Sequence, residues 1–581
     1  MNLRTKSPKI LFAAAPSLVR WKARIKAAFE ERGAKGEIQG HLYVAAGPEH
    51  LPAAVDLATR KAAGLLLVLP GPTPIDAKRI PASVILLPLD KPGDEDLSNP
   101  WLVLARISVD AATTGVQVDR SEPQFVGTWR SLDLSCAAVG EPEPSQRGGE
   151  DLEGLLLNRK HTGETSEAGQ AIDEISRKRS IAPETVLDSI LTQNSVWFSP
   201  YTGQPVDWPE ALQVFHTVQS NWQENHRASH CYGAQYWNHP SIRATFSGRG
   251  GDVTFHETRE ETIAAARQSG GQILSWAGRT DAAFEEACSV AEIPLLRIED
   301  GFLRSVGLGA GLARGAMLAV DDLGIYYDPS RPSRLEVLLK DQELSEAEKH
   351  RGKHLVELIG AARVSKYNFG KSRKFSFPAG KTTVLVPGQV ADDAAIRKSM
   401  SGTIDCANTP NVNLDLLKLV RARYPDAYLV FKPHPDVETG LRKGKVDRQT
   451  ALKYADEIAE DANIIDLIEA VDSVETFSSL SGFEAILRGK KVTVHGSPFY
   501  AGWGLCEDLT DIPGRGRARS LPELVYLALV KYARTVDPVS LLPCTPEFLV
   551  ARLSEQRGDR RHLLVTALKR HSSWLGRKLG I

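Results

Sequence analysis

The chain has 581 residues, of which 42% are hydrophobic and 25% are charged, a composition typical of a soluble globular protein with two or three domains. Lys and Arg number 71 and Asp and Glu number 72, so the chain as a whole is not a polyanion binder. Its six cysteines are scattered, with no Cys-x-x-Cys pair, which argues against a structural zinc site or a disulfide framework and favours a reducing cytoplasm. No window approaches the roughly 20 apolar residues that a spanning helix needs, so we expect any membrane contact to be peripheral.

The first 137 residues predict an α/β domain of unknown role. Between residues 9 and 109, the strand-like runs ILFAAA, HLYVAA, GLLLVLP and SVILLPL alternate with helix-like runs, which is typical of βαβ units and a parallel sheet. The basic start and its short apolar stretch, broken at Pro16, indicate a first strand and helix rather than a signal peptide. Residues 138–204 are polar and rich in Gly, Pro and Glu, and predict a linker with a connecting helix.

Two further α/β regions follow, at residues 205–375 and 376–545. The first has predicted strands in GQILSWAG and PLLRIEDG around the helical DAAFEEACSVAE. The second has predicted strands in KTTVLVPGQ, AYLVFKP, ANIIDLI and KKVTVHG, a helix in NVNLDLLKLVRARYP, and a helical run near 449–460. Two adjacent Rossmann domains with a cleft between them are therefore expected. Neither region carries G-x-G-x-x-G or G-x-x-x-x-G-K-[ST], which counts against dinucleotide and P-loop nucleotide binding.

The tail at residues 546–581 is basic and amphipathic. Four leucines fall on one helical face: Leu564, Leu568, Leu575 and Leu579. Such a helix can lie on an anionic membrane surface or pack its leucine face on the adjoining domain, and the sequence leaves both alternatives open.

Acidic and amide side chains follow two of the predicted strands, where open α/β sheets bind ligands. Glu299 and Asp300 end one strand, and a carboxylate there can act as a general acid or base, or merely as a turn or N-cap acid. Gln389 and Asp393 follow another strand, and their spacing of four puts both on one face if a helix begins there. Asp393 also suits a helix N-terminus for dipole reasons alone.

A histidine and a serine-rich turn follow two more strands. Pro433 and Pro435 restrict the backbone around His434, which suits an imidazole held against a phosphate or a leaving group, with the cation of Lys432 nearby. The purely structural alternative is a buried histidine that is hydrogen-bonded to a carbonyl. The turn precedes a helix expected to begin near Phe483, and its members suit an anion site or an ordinary N-cap. They are Ser478, Ser479, Ser481 and Gly482, with Glu484 placed to take a ribose hydroxyl.

These stretches, read with their surroundings, form long and specific strings. They are EDGFLRSVGLG, LAVDDLGIYYDPSRPSRLEVLL, KYNFG, VPGQVADDAAI, FKPHPDVETGLRKG, SLSGFEAILRGKKVTVHGSPFYAGWGL and LVYLALVKYARTVDP. From about residue 205 to 555 the chain thereby resembles the bacterial capsule polysaccharide synthesis family, the β-Kdo transferases of the KpsC/KpsS type. The resemblance implies a GT-B glycosyltransferase that uses CMP-Kdo (Kdo is 3-deoxy-D-manno-oct-2-ulosonic acid) and transfers Kdo with retention.

The resemblance also implies roles for single residues. The family's acidic-acidic-Gly motif falls on residues 299–301, its Gln-x-x-x-Asp motif on 389–393 and its His-Pro motif on 434–435. The implied nucleophile is Asp393, oriented by Gln389, with Glu299 or, as second choice, Asp300 acting on the acceptor hydroxyl. The implied donor-binding residues are Lys432, His434, Pro435, Ser478, Ser479, Ser481, Gly482 and Glu484. Arg304 and Arg331 are candidates for the Kdo carboxylate, because arginine pairs with carboxylates in bidentate fashion.

The implied partners are CMP-Kdo and a lipid-linked, Kdo-primed acceptor, without a metal or other cofactor and without nucleic acid. The implied location is cytoplasmic, at the inner face of the membrane near capsule assembly and export proteins. Large family members carry two such modules in tandem, whereas this chain shows the motif set once, which leaves residues 9–109 open as a degenerate module, an acceptor-binding domain or an unrelated one. Alternative functions are a transferase for another nucleotide-activated acidic sugar, a sugar-nucleotide hydrolase or epimerase, and a non-catalytic binding module of capsule assembly.

Overall fold

A computed structural model describes residues 208–306, 314–368, 372–406, 408–438 and 442–559, together with residue 440 and short stretches before residue 208. The chain divides into two compact units, Met1–Gln223 and Glu224–Ile581. The domain boundaries drawn from the sequence stay predictions. Among the described helices, not one has the length and apolar character needed to cross a membrane.

The strands of the first unit form two sheets. They are β1 Leu11–Ala14, β2 His41–Val44, β3 Leu65–Leu69, β4 Val84–Pro88, β5 Gly127–Thr128, β6 Ser195–Phe198 and β7 Pro205–Val206, followed by helix α1 Trp208–Glu224. Each of the four predicted strand runs contains a strand, and β2, β3 and β4 are parallel as expected. The expectation of one parallel sheet is wrong for β1, which pairs antiparallel with β5 and β6. The helical runs predicted before residue 110, most of the predicted linker of residues 138–204 and the tail beyond residue 559 lie outside the described residues.

The second unit alternates strands and helices. Its strands are β8 Ser229–Tyr232, β9 Thr254–His256, β10 Gln272–Trp276, β11 Leu295–Asp300, β12 Met317–Asp321, β13 Thr383–Pro387, β14 Tyr428–Lys432, β15 Glu457–Ile458, β16 Ser473–Thr476, β17 Lys491–Val494, β18 Glu507–Asp508 and β19 Ala533–Thr535. Its helices are α2 His239–Phe246, α3 Arg259–Ser269, α4 Ala282–Val290, α5 Arg334–Asp341, α6 Glu346–Ala362, α7 Ala394–Arg397, α8 Val412–Arg423, α9 Pro435–Glu438, α10 Arg448–Ala451, α11 Ile464–Ala470, α12 Leu480–Ile486, α13 Leu521–Tyr526 and α14 Pro546–Gly558.

One six-stranded sheet, with its helices, forms what we call the first lobe. Its strand order is β9-β8-β10-β11-β12-β19, parallel from β9 to β11, with β12 antiparallel to both neighbours. Neighbouring residues of β10 pack into different cores: Ile273 lies with Phe284 of α4, and Leu274 lies with Phe246 of α2. Helices therefore cover both faces, as the strand–helix alternation predicts.

The other six-stranded sheet forms the second lobe, with strand order β15-β14-β13-β16-β17-β18, all parallel. Every residue of β13 is buried, which explains its unbroken apolar sequence. Val384 and Val386 of this strand share a core with Leu416 and Val420 of α8. The two lobes confirm a GT-B-like pair of Rossmann domains with an additional N-terminal region.

Two sequence predictions within the second lobe are wrong. The run ANIIDLI forms helix α11 rather than a strand, because its isoleucines and leucine recur at helical spacing and Asn463 caps the Ile465 amide. The strand of this region is the following β16. The helical run near 449–460 contains only the four-residue α10 before the short strand β15.

After residue 520 the chain returns to the first lobe. There β19 pairs with β12, Met317 opposite Thr535, and α13 and α14 pack on α6. The predicted segment 376–545 therefore includes the strand that completes the sheet of the first lobe.

Candidate active site

In each lobe the strand order reverses at one position in the sheet, the switch point. In the second lobe the reversal lies between β13 and β16, and in the first lobe between β8 and β10. Loops that follow neighbouring strands diverge at such a switch point and leave a crevice at the carboxyl ends of the strands. Here both crevices open on one cavity of about 600 Å³.

Most of the predicted site residues line this cavity. They are Glu299, Asp300, Arg304, Gln389, Asp393, Lys432, His434, Pro435, Ser478, Ser479, Ser481 and Glu484. Side chains from both lobes, separated by up to 185 positions in the sequence (Glu299 to Glu484), are thus brought together by the fold. Their roles stay predictions.

The two acids at the end of β11 have different surroundings. Asp300 accepts a hydrogen bond from Arg304 Nε at 2.6 Å, and the guanidinium is buried, so this arginine is committed to Asp300 rather than open to a ligand carboxylate. Glu299 accepts only from the Asp300 amide, at 3.2 Å, among the described residues. Burial, and then the charges of Asp300 and Asp393, raise the pKa of Glu299 to about 8. Glu299 can therefore carry a proton near neutral pH.

Asp393 lies across the cavity, on the second lobe. Helix α7 begins at Ala394, so Asp393 is its N-cap and accepts from the Ala394 amide at 2.8 Å. Gln389 precedes the helix, and the idea that both residues share a helix face is wrong. The Gln389 amide instead joins the two strands of the switch point: Oε1 accepts from Ser478 N at 2.9 Å, and Nε2 donates to Ser478 Oγ at 3.2 Å. Gln389 holds the loop that carries Asp393 and makes no hydrogen bond to Asp393 among the described residues.

His434 is held in one tautomer. Pro435 opens helix α9, and the Asp436 amide donates to His434 Nδ1 at 3.1 Å. The ring proton is therefore assigned to Nε2, which makes no hydrogen bond to any described residue and belongs to a cavity-lining side chain. Burial, followed by Lys366, Lys432 and Arg442, lowers the pKa of His434 to about 3, so the imidazole is neutral.

The charge of Lys432 is paired within the second lobe. Its Nζ donates to Glu438 at 2.7 Å and to the Pro433 carbonyl at 3.0 Å, and the side chain is buried. Burial lowers the pKa of Lys432. The cation that was predicted to contact a phosphate thus forms an internal ion pair with Glu438, the last residue of α9.

The serine-rich turn caps a helix that begins at Leu480, three residues before the predicted start. Ser479 is the N-cap and its Oγ accepts from the Ser481 amide at 3.2 Å, while its carbonyl accepts from the Gly482 amide. These amides are thus occupied within the turn. The hydroxyls of Ser478 and Ser481 line the cavity and are the groups that remain to meet an anion.

Three predicted residues have structural contacts. Gly482 packs against Tyr500, whose hydroxyl would lie 2.2 Å from a Cβ at this position. The Glu484 carboxylate accepts from the Lys366 amide at 2.8 Å, which ties the second lobe to the segment that crosses from the first. Arg331 donates twice to Glu285 at 2.6 Å and is not part of the cavity lining.

Sequence matches to known proteins cover the same region. Residues 273–359 and 349–536 match a family model described as "Capsule polysaccharide biosynthesis protein". The chain is 37% identical over 348 residues to capsule polysaccharide modification protein LipA of Neisseria meningitidis serogroup B, a match that covers 60% of this chain and 48% of LipA. It is 42% identical over 248 residues to lipopolysaccharide-processing protein LpsZ of Rhizobium meliloti, covering 42% of this chain and 55% of LpsZ.

Residues 273–536 of this chain belong to the capsule polysaccharide biosynthesis family. The chain spans about half the length of the curated relatives it matches. A solved structure described as Thermosulfurimonas dismutans KpsC, beta Kdo 2,7 transferase, is 30% identical, and the match covers 56% of this chain and 99% of that one, with a TM-score of 0.44.

One residue that lines the cavity, Lys366, was not predicted from the sequence as a site residue. Its Nζ makes no hydrogen bond to any described residue. Its carbonyl accepts from the amides of Arg304 and Ser305 at 3.1 Å each, so the backbone is fixed at the crossing between the lobes. Burial favours the neutral form of Lys366, but the nearby carboxylates of Asp300 and Asp393 favour the charged form, and its pKa is raised, so the ammonium group stays charged. Its signal was the string KYNFG, which marked a resemblance but carried no chemical pattern.

Proposed function

We propose that this protein is a retaining glycosyltransferase that moves Kdo from CMP-Kdo to a lipid-linked saccharide in the biosynthesis of capsular or related surface polysaccharides. The observation that supports it is the pairing, across one cavity, of Asp393 on the second lobe with Glu299, a carboxyl whose pKa is raised to about 8, on the first. Two carboxyl groups in unlike surroundings suit different tasks in glycosyl transfer. Family membership and the sequence resemblance supply the sugar and the nucleotide.

The first step is the capture of the sugar. An Asp393 oxygen attacks the anomeric carbon of Kdo, and the bond from that carbon to the phosphate oxygen breaks with its electron pair leaving on CMP. CMP is a good leaving group, so no proton needs to reach it. The N-cap bond from Ala394 leaves the other Asp393 oxygen available for this attack.

The second step transfers the sugar to the acceptor. An acceptor hydroxyl attacks the same carbon, the Asp393 carboxylate departs, and the hydroxyl proton passes to ionised Glu299. Two inversions at one carbon give net retention. A base with a pKa near 8 is well matched to this proton transfer at physiological pH.

In this proposal, neutral hydrogen-bond donors and one cation bind CMP-Kdo. The neutral His434 Nε2–H and the hydroxyls of Ser478 and Ser481 donate hydrogen bonds to the CMP phosphate. Lys366 pairs with the Kdo carboxylate, in place of Arg304 and Arg331, which are committed to Asp300 and Glu285. Neither step uses a metal. A cytoplasmic location and a peripheral contact with the inner membrane belong to the same proposal.

The test is CMP release from CMP-Kdo, with and without a Kdo-primed lipid acceptor. We expect acceptor-dependent release by the wild type and a loss of roughly a thousandfold or more in Asp393→Asn, which retains a capping side chain, with CMP affinity nearly unchanged. Asp426→Asn, an exposed change beside β14, is the matched control.

Normal turnover by Asp393→Asn would refute the nucleophile. No release with any acceptor, alongside tight CMP binding, would instead favour a different donor sugar or a binding module. Release without an acceptor requirement would point to a sugar-nucleotide hydrolase.

A further inference from the structure

The hydroxyl of Tyr327 has no role in the chemistry described so far. Tyr327 lines the cavity and is only 8% exposed, and its hydroxyl has no hydrogen-bond partner among the described residues. The preceding Tyr326 also lines the cavity, but its hydroxyl donates to the Asp300 carbonyl at 3.2 Å. Buried hydroxyls almost always have a partner, because an unpaired one is costly. An unpaired hydroxyl in the wall of a cavity therefore indicates that a ligand supplies its partner.

The loop that carries Tyr327 is held at both ends. It follows β12, and the carboxylate of Asp321 at the end of this strand accepts from the amides of Gly324 at 2.8 Å and Arg334 at 2.9 Å. Within the loop, the rings of Tyr326 and Tyr327 meet edge-on, with centroids 5.3 Å apart. The phenol is thus positioned before a ligand binds, which lowers the entropic cost of using it.

The same loop is joined to the helix that Asp393 caps. Asp328 pairs with Lys398 Nζ at 2.8 Å, and Lys398 directly follows the last residue of α7. Burial raises the pKa of the Tyr327 phenol, and so do the nearby charges of Glu299 and Asp393. The phenol therefore keeps its proton and is available as a neutral hydrogen-bond donor.

The position of this hydroxyl indicates which group it meets. Both proposed steps take place at one carbon of the sugar, between Asp393 and Glu299, and the charges of both residues act on Tyr327. In Kdo this carbon carries the carboxylate, and the next ring carbon has no hydroxyl group because the sugar is 3-deoxy. Apart from the oxygens that react, the carboxylate is therefore the strongest hydrogen-bond acceptor at this carbon.

We propose that Tyr327 is a further catalytic residue, whose hydroxyl donates a hydrogen bond to the carboxylate of the transferred sugar. Because the phenol is neutral, it orients the carboxylate without adding a second positive charge to that of Lys366 beside a cationic transition state. The inference rests on the proposed function and adds a residue that makes the site specific for sugars with an acid group on the reacting carbon.

The test is calorimetric binding of CMP-Kdo and of CMP, both measured in Asp393→Asn, in which the sugar is not transferred. We expect the added change Tyr327→Phe to weaken binding of CMP-Kdo about tenfold or more and to leave CMP binding unchanged, because CMP lacks the carboxylate. Tyr526→Phe is the matched control. The Tyr526 hydroxyl donates to Glu348 at 2.9 Å and is not part of the cavity lining, so its loss should change neither affinity.

Thermal unfolding of the same variants shows whether each hydroxyl has a partner in the free protein. Tyr526→Phe removes a hydrogen bond and should lower Tm, whereas Tyr327→Phe removes none and should not. A loss of Tm in Tyr327→Phe as large as that in Tyr526→Phe would overturn the assignment, because the hydroxyl would then be bonded without a ligand.

Equal weakening of CMP-Kdo and CMP by Tyr327→Phe, or no weakening of either, would also overturn it. Acceptor-dependent CMP release, measured with Asp393 intact, separates the two proposals. Release by the wild type alongside either of these results would retain the transferase and reject only the role of Tyr327. No release, with CMP-Kdo bound no more tightly than CMP, would reject the transferase and the role of Tyr327 together.

Discussion

Both lobes are built on a six-stranded α/β sheet, but their polar side chains differ in how many hydrogen-bond partners they have. In the second lobe the polar side chains at the carboxyl ends of the strands have partners within the lobe: Gln389 bonds to Ser478, His434 to the α9 backbone, and Lys432 to Glu438. In the first lobe Glu299 and Arg279 face the cavity with few partners or none among the described residues. Hydrogen-bond donors that are already held in place suit a ligand that is always the same, such as a nucleotide. Polar groups without partners need hydrogen bonds or ion pairs from the ligand itself.

The largest effect on activity should come from Glu299 of the first lobe, whose carboxyl group has one hydrogen-bond partner among the described residues. Glu299→Gln should lower acceptor-dependent CMP release by about 10²- to 10⁴-fold, because the amide cannot accept the hydroxyl proton. The wild-type rate should rise with pH up to about 8, where Glu299 becomes ionised, and the variant should lose this rise. The measurement is the pH profile of kcat/KM, with the exposed Glu286→Gln of α4 as the control.

The same variant should be more stable than the wild type. The pKa of Glu299 is raised in the folded protein from its ordinary 4.5 to about 8, so the folded state binds the extra proton between these values and wild-type stability falls as pH rises through this window. Glutamine does not titrate, so the gain in Tm should grow from pH 5 to pH 8 and then level off. A gain independent of pH would mean that Glu299 is ionised in the folded protein throughout.

A smaller effect, on CMP affinity, should come from His434 of the second lobe, whose imidazole is held in one tautomer. His434→Ala should weaken CMP binding about tenfold, the loss of one hydrogen bond to a charged group. Because the pKa of His434 is lowered to about 3, wild-type CMP affinity should show no histidine-dependent change near pH 6.5. Calorimetric titrations of CMP between pH 5 and 8 measure both. A gain in affinity below pH 6.5 that disappears in His434→Ala would show that the bound histidine is charged, contrary to the prearranged donor described above.

How far the sequence predicts the site also differs between the lobes. Strand-end motifs located Glu299, Asp393 and His434 because each lies at or just after the end of a strand with a clear apolar run. The strands β10, β11, β13, β14 and β17 lie within the predicted stretches. Side-chain direction could not be predicted in the same way. Lys432 and Arg304 are cations beside the cavity, and only the folded arrangement shows that each already has an acidic partner.

Lys366 and Arg279 are the opposite case, because they line the cavity but were not predicted from the sequence as site residues. Each is a basic residue outside the strand-end motifs, and its value lies in the lack of a hydrogen-bonded acidic partner among the described residues, which depends on chain segments distant in sequence. The helix of ANIIDLI was missed for a related reason: five apolar residues in seven satisfy a buried strand and a helix alike, and the Asn463 cap decides between them.

The smallest effect should come from Arg331, the predicted carboxylate ligand that the fold places elsewhere. Its side chain is 38% exposed and pairs with Glu285, which also receives Arg297, so Arg331→Ala leaves that carboxylate with one partner. We expect less than about a twofold change in KM for CMP-Kdo and a stability loss of about 1 kcal/mol or less, as for other solvent-accessible ion pairs. Steady-state kinetics and thermal unfolding measure the two. A rise of tenfold or more in the donor KM would return Arg331 to the site and make the first lobe, rather than Lys366 at the crossing, the holder of the donor carboxylate.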